Sequence, residues 1–181
     1  MGPLPPFAAW TRPARVRAFI AATLTTLVVG AGLALVAAPL ATAAAPQGIV
    51  SFELAGDAET AARMLASWDE GQRIRAGIAL GADYLFLLAY PLSLALACGL
   101  VAERLGGTAT RAGALLAWGQ LAAAPLDAVE NAALMQVLLG ATGDAWPALA
   151  RACALPKFAL VALGLGYVVL GGAAGALRRR A

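Results

Sequence analysis

Long apolar runs alternate with short polar segments along the chain. Four of these runs have the length of about 20 residues that a helix needs to cross a hydrocarbon core about 30 Å thick. They cover residues 18–45, 76–102, 113–140 and 152–176. A spanning segment must satisfy its own backbone hydrogen bonds, and the alternating pattern of a barrel strand is absent. We therefore predict an all-α integral membrane protein in which four helices form a bundle, with residues 1–181 as a single membrane domain.

The first run also resembles the core of a secretory signal peptide. A basic segment precedes it, and Ala41, Thr42 and Ala43 resemble a cleavage site. However, the run is about twice as long as the roughly 7 to 15 residues of a signal core. We therefore interpret residues 18–45 as a membrane span.

The connection between the first two runs, residues 46–75, has a pattern of its own. Asp57 is placed to cap a helix, because its carboxylate can accept hydrogen bonds from the first free backbone amides. Apolar side chains then follow at helical spacing along one side, namely Ala58, Ala61, Ala62, Leu65 and Trp68. This pattern predicts a short amphipathic helix on the outer surface, either as a lid packed on the bundle or as a docking helix for a partner.

The composition supports a membrane location and excludes several kinds of chemistry. Hydrophobic residues make up 61% of the chain and charged residues 13%, and the mean hydropathy is +0.79, outside the usual range of soluble proteins. The absence of histidine excludes imidazole metal sites, histidine-held haem and Ser-His or Cys-His catalytic pairs. We expect no cofactor and no metal site. Cys98 and Cys153 are predicted near opposite ends of their helices, too far apart for a disulfide.

Most basic residues lie in the N-terminal segment, in the loop 103–112 and in the C-terminal tail. These residues are Arg12, Arg15, Arg17, Arg104, Arg111, Arg178, Arg179 and Arg180. Because cytoplasmic loops carry an excess of Lys and Arg, we predict that both termini are cytoplasmic in a bacterial inner membrane. The acidic connection 46–75 is then outside. The net charge of +3 gives no basis for nucleic-acid binding.

Polar side chains occur at membrane depth in the third run. Asp127, Glu130 and Asn131 stand at positions i, i+3 and i+4, which puts them on one face of a helix. A charged group at the centre of a membrane helix costs about 2.5 to 3.5 kcal/mol on insertion scales. We therefore expect this face to turn away from lipid, toward partners inside the bundle.

Partners at a similar depth can be found on the neighbouring helices, counting a rise of about 1.5 Å per residue. Asp83 and Tyr90 share a face of the second helix, and Lys157 on the fourth is the natural counter-ion. One lysine cannot neutralise three acids. We therefore predict that at least one of the three is protonated at neutral pH. The candidate ligand-binding residues are Asp83, Tyr90, Asp127, Glu130, Asn131, Lys157 and, from the outer connection, Glu53.

Four segments carry a resemblance to a known group: Ser51 to Gly56 (SFELAG), Leu65 to Trp68 (LASW), Asp83 to Tyr90 (DYLFLLAY) and Asp127 to Asn131 (DAVEN). They resemble the pattern of a family of small uncharacterised bacterial membrane proteins with four spans. The resemblance covers residues 48–171, brings no activity with it, and implies that the acids of these segments belong to one feature. In architecture alone, the chain also resembles the four-helix sterol isomerase and sigma-2 receptor superfamily, which uses intramembrane acids to handle hydrophobic ligands.

These observations lead to three hypotheses for function. The first is a pocket that binds a lipid or apolar small molecule, in which Asp83, Asp127 and Glu130 are the candidates for acid–base chemistry and Glu53 closes the mouth. The second is a non-catalytic subunit or assembly factor that docks onto other membrane proteins. The third is an oligomeric proton-coupled transporter, although no internal repeat is visible.

Overall fold

Every regular element of this protein is helical in its computed structural model, which describes residues 3–177. The helices are α1 (Arg12–Ala37), α2 (Ile49–Glu53), α3 (Ala58–Ala66), α4 (Glu70–Leu105), α5 (Gly107–Leu138) and α6 (Ala145–Leu177), with a 3₁₀ turn at Ala38–Leu40 after α1. Within residues 3–177, α1, α4, α5 and α6 are long and apolar enough to cross a membrane. The predictions of an all-α chain and of four spanning helices are confirmed at this level. Arg178, Arg179 and Arg180, which entered the topology prediction, lie outside the described residues.

The helix ends differ from the ends of the apolar runs. α1 stops at Ala37, well before the predicted limit at residue 45, and continues only as the 3₁₀ turn that contains Pro39. Proline disfavours the α conformation of the residue before it, which ends the helix here. α4 instead begins at Glu70, ahead of the apolar run.

The helices divide between two compact units. One, here called the connection unit, comprises Leu27–Leu87 and Pro125–Lys157. The other, the terminal unit, comprises the remaining described residues, 3–26, 88–124 and 158–177. Each of the four long helices therefore contributes a segment to both units.

The connection unit has an apolar core to which the segment between α1 and α4 contributes large side chains. Phe52, Trp68, Leu80 and Leu134 are all buried in one cluster. The rings of Phe52 and Trp68 meet edge to face with centroids 5.3 Å apart. The Trp68 indole Nε1 donates a hydrogen bond to the Leu40 carbonyl over 2.9 Å, so its one polar atom is satisfied. These contacts hold residues 46–75 against the long helices of this unit.

Helix α3 begins at the predicted cap. The Asp57 carboxylate accepts a hydrogen bond from Thr60 N over 2.7 Å, and hydrogen bonds from Thr60 are the main reason that its pKa is lowered. Asp144 adds a second acceptor, for Ala58 N, at 2.8 Å. Just before the cap, Gly56 has a φ of 79°, and the Arg151 side chain lies 2.8 Å from where a Cβ would stand. Both conditions favour glycine at this turn.

The buried side of α3 differs from the one expected. Ala61 and Met64 are its buried residues, whereas Ala62 is exposed. Trp68 is buried but lies beyond Ala66, where α3 ends. Of the residues on the predicted apolar side, Ala61 and Trp68 belong to the core cluster and Leu65 packs against it, so the prediction was wrong at Ala62.

The terminal unit is held by small residues and buried polar contacts. Gln120 is fully buried, and its side-chain amide donates to the Leu160 carbonyl over 2.7 Å. The Thr23 and Ser93 hydroxyls share a hydrogen bond of 2.8 Å. Cys98 belongs to this unit and Cys153 to the connection unit; both are buried free thiols.

Candidate functional site

Four acidic side chains and one lysine converge inside the connection unit. The acids are Glu53 at the end of α2, Asp83 on α4, and Asp127 and Glu130 on α5, while Lys157 comes from α6. Lys157 Nζ donates to Asp127 Oδ1 over 3.0 Å and to Glu130 Oε1 over 2.9 Å. Glu53 Oε2 lies farther from the same nitrogen, at 3.8 Å. We refer to these five residues as the acidic cluster.

Helical spacing brings the α5 residues to one face. Asp127, Glu130 and Asn131 are 3%, 0% and 3% exposed, and they continue the face that also buries Leu134. Lys157 is 6% exposed. Charges buried to this degree persist only when they are paired and hydrogen-bonded, and the contacts around Lys157 meet that condition.

Asp83 is joined to α5 by two side-chain hydrogen bonds. Asn131 Nδ2 donates to Asp83 Oδ2 over 2.7 Å, and a second bond links Asp83 with Asp127. A hydrogen bond between two carboxyl groups requires a proton on one of them, because an ionised carboxylate can only accept. This geometry is consistent with the prediction that at least one acid of the cluster is protonated, and the protonation itself stays a prediction.

Glu53 stands at the edge of the cluster, with 13% of its side chain exposed. Burial raises the pKa of Glu53 from 4.5 to about 7. The positive charge of Lys157 acts to lower this pKa, whereas the negative charges of Asp127 and Asp83 raise it further. A side-chain hydrogen bond links Glu53 to Glu130. Among the described residues, however, no donor hydrogen-bonds to the buried atom Glu53 Oε2, whereas Glu130 Oε2 lies 2.9 Å from the Lys157 ammonium.

A cavity of about 170 Å³ lies beside the acidic cluster in the same unit. Most of its wall is apolar, and its polar groups are Glu53, Asp83 and Asn131. The apolar wall consists of Leu33, Ala34, Ala37, Ile49, Ala79 and Leu80. Of the acids predicted from sequence, Glu53 and Asp83 therefore line this space, whereas Asp127 and Glu130 bind Lys157.

The remaining candidate is Tyr90. Tyr90 is buried but belongs to the terminal unit, and its predicted role at a carboxylate stays a prediction. Tyr84, by contrast, donates its hydroxyl to the Ala128 carbonyl over 3.0 Å from a largely exposed position.

The contribution of α1 to the cavity was not predicted. Leu33, Ala34 and Ala37 form one wall of the cavity, but in the sequence they are indistinguishable from the other Leu and Ala residues of the first apolar run. No local signal could have separated the residues that line a cavity from those that face lipid.

Metal binding is not favoured by the side chains present. Within residues 3–177, no group of three or more His, Cys, Asp and Glu side chains is arranged to hold a metal ion. In the acidic cluster the position between Asp127 and Glu130 is taken by the Lys157 ammonium. The cluster therefore carries its own cation.

Comparison with known proteins adds no assignment. The chain matches no protein-family model, and no curated protein or solved structure matches it at a significant level. The resemblance to small four-span bacterial proteins stays a prediction. Function therefore has to be inferred from the chemistry of the acidic cluster and the cavity.

Proposed function

We propose that this protein binds the end group of a lipid or of another apolar small molecule in the cavity of the connection unit. The observation that carries the proposal is the composition of the cavity wall, in which six apolar residues surround the three polar side chains of Glu53, Asp83 and Asn131. Ligand sites in proteins commonly combine an apolar lining with a few converging polar groups. The wall would bind the apolar part of a ligand, and the polar side chains would orient its polar atoms.

The size of the cavity limits what can enter. Its volume is about 170 Å³, while an apolar cavity of about 150 Å³ can hold a benzene molecule. The site therefore has room for a ring or a short polar end group, and the rest of a lipid would have to remain outside it.

The surrounding membrane architecture is part of the same proposal. The four long helices would form a bundle in a bacterial inner membrane, with both termini in the cytoplasm and α3 as an amphipathic helix at the outer surface. The distribution of Lys and Arg supports this orientation. The connection unit, which contains residues 46–75, would then lie in the outer part of the membrane, where a lipid from the outer leaflet could reach the cavity.

The acidic cluster supports acid–base chemistry as an extension of binding. Asp83 lies at the cavity and is hydrogen-bonded to Asn131, so it is the residue placed to exchange a proton with a ligand. Asp127 and Glu130 would bind Lys157 and in this way keep the cavity wall in place. Asp83 would therefore contact the ligand, whereas Asp127 and Glu130 would not.

Filling the cavity tests the proposal. We expect the Leu33→Trp variant, which places an indole in the cavity, to lose most of the small molecules that co-purify with the wild-type protein. The matched control is Leu35→Trp, because Leu35 is 76% exposed and does not line the cavity. Native mass spectrometry of each protein, extracted from the membrane in nanodiscs, counts the bound molecules. Equal retention by both variants would exclude the cavity as the binding site.

A second candidate function is that of a subunit in a larger membrane assembly. The observation that favours it is the exposure of α1: only 6% of its most apolar stretch is buried, against 67% for α4. A partner protein could cover this face in place of lipid. Co-purification of a partner in fixed stoichiometry, abolished by Leu35→Arg, would support this function; a monomer that retains its small molecule would support the first.

A further inference from the structure

We propose that Glu53 and Glu130 form a binding site for a single proton, and that this proton controls access to the cavity by holding the Glu53 side chain in its wall. The inference rests on the proposed function, since it treats the cavity as the ligand site. In the protonated state the two carboxyl groups are hydrogen-bonded and the cavity is closed at this side. On loss of the proton to water, the Glu53 side chain turns outward and the cavity opens.

The first argument is the contact between the two glutamates. Glu53 Oε2 is buried, and no donor among the described residues satisfies it by a hydrogen bond, whereas Glu130 Oε2 lies 2.9 Å from Lys157 Nζ. The Glu130 side chain is fully buried, so its carboxyl group cannot turn toward water. A proton between the two carboxyl groups supplies the missing donor, and it explains how they share a hydrogen bond.

The second argument is the charge that surrounds Glu53. Two acids repel its charge, namely Asp83 from α4 and Asp127 from α5, while the single base Lys157 from α6 attracts it. Glu130 is hydrogen-bonded to it. Lys157 is 2.9 to 3.0 Å from its partners on α5 but 3.8 Å from Glu53. The segment of α1 in this unit, residues 27–37, has no titratable side chain, and Cys153 lies near Glu130 and Lys157. An ionised Glu53 would therefore face the charges of two acids, while the one base is held closer to Asp127 and Glu130.

The third argument is that the backbone around Glu53 is anchored while its side chain can leave. Phe52, the preceding residue, is 1% exposed and packs on Trp68, which holds α2 in place. Glu53 itself is at the C-terminal end of α2 and is partly exposed. Opening therefore needs only a rotation of one side chain that already reaches solvent, without unfolding of the connection.

Cysteine accessibility provides a test that needs no knowledge of the ligand. In a background where Cys98 and Cys153 are replaced by Ala, the variants Leu33→Cys (cavity wall) and Leu35→Cys (exposed) are labelled with a small neutral maleimide in lipid nanodiscs from pH 5 to 9. Dividing the two rates removes the pH dependence that the two thiols have in common, and the Glu53→Gln background corrects for the rest. We expect the ratio to rise by about tenfold per pH unit below 7 and to level off above it, because the open fraction limits access.

Two changes at Glu53 should separate the proposed mechanism from a general loosening of the fold. Glu53→Gln keeps a hydrogen-bond donor that cannot ionise, so we expect the ratio to stay low at every pH. Glu53→Ala removes the side chain, so we expect a high ratio at every pH. A control at Glu59, an exposed acid on α3, should behave as wild type when changed to Gln. A ratio that is independent of pH in the wild type, or unchanged by Glu53→Gln, would overturn the proposal.

Infrared difference spectroscopy of the full chain tests the sharing of the proton directly. A protonated-carboxyl band that titrates near pH 7 should be lost both in Glu53→Gln and in Glu130→Gln, and should be retained in Glu59→Gln. If Glu130→Gln does not fold, Glu53→Asp serves instead: its shorter side chain should not reach Glu130, and the midpoint should fall toward the ordinary carboxyl range. A band that survives in Glu53→Gln would contradict the shared proton. Retention of co-purified lipid is measured separately and tests the proposed function. The proposed function and the shared proton can therefore fail independently.

Discussion

Lys157 Nζ on α6 donates a hydrogen bond to Glu130 Oε1 on α5 over 2.9 Å, and both side chains are buried. The same ammonium also binds Asp127, so one base links two acids that stand one helical turn apart. Removing one partner of a buried ion pair is far more costly than replacing the whole pair by apolar residues. We therefore predict that single and combined substitutions in the acidic cluster differ in their effect on stability.

We expect Lys157→Met to destabilise the protein by about 3 to 5 kcal/mol, since it leaves buried carboxylates without a counter-ion. Adding Asp127→Asn and Glu130→Gln to Lys157→Met should restore part of this loss. Thermal unfolding in detergent micelles measures both effects, with Arg151→Met, an exposed change on the same helix, as the control. A triple variant that is less stable than Lys157→Met alone would contradict the assignment of Lys157 as the counter-ion.

The hydrogen bond from Asn131 to Asp83 leads to a second prediction. Asn131→Leu leaves the Asp83 carboxyl without this donor, which should cost about 1 to 3 kcal/mol. The double variant Asn131→Leu with Asp83→Leu should be more stable than the single one, because it removes both partners. Gln136→Leu, at an exposed position of the same helix, should change stability little. Additive losses in the double variant would show that the two side chains do not depend on each other.

The raised pKa of Glu53 predicts how stability depends on pH. Between 4.5 and about 7 the unfolded chain has already lost this proton while the folded protein keeps it, so folding binds a proton and stability falls as pH rises. Above about 7 the contribution levels off. We expect the unfolding temperature of the wild type to decline across this window and the Glu53→Gln variant to decline less. An identical slope in both proteins would show that Glu53 titrates with an ordinary pKa.

Two glycines of α6 offer a matched pair for testing the terminal unit. A Cβ at Gly164 would stand 2.4 Å from the Gln120 side-chain nitrogen, whereas a Cβ at Gly166 would meet nothing within 4 Å. Because Gln120 is buried and bonded to Leu160, it cannot move aside without losing that bond. Gly164→Ala should therefore destabilise by about 1 to 3 kcal/mol. Gly166→Ala should be neutral or slightly stabilising, as alanine is the better helix former; equal effects at both positions would contradict the packing described.

The spacing of residues along the chain predicted some features of the site and the fold correctly and others incorrectly. The spacing of Asp127, Glu130 and Asn131 placed them on one buried face, and the Asp57 cap was recognisable from its position before a helical stretch. α1 ends at Ala37, before the predicted span does, because the apolar run continues past Pro39 and hydropathy does not detect where a helix ends. The predicted apolar side of α3 was wrong at Ala62, which is exposed, whereas Ala61 and Trp68 are buried in the core cluster.

The sequence by itself determined that the chain is helical, that four of its helices can cross a membrane, and that the polar face of α5 turns inward. These properties depend on the length of apolar runs and on the cost of placing charge in lipid, both of which can be evaluated one segment at a time. Only the tertiary structure decided that Glu53 meets Glu130, that α1 forms a wall of the cavity, and that Tyr90 belongs to the other unit. Such contacts join residues far apart in the chain, and they depend on the path of the connection and the packing of side chains, which no single segment specifies.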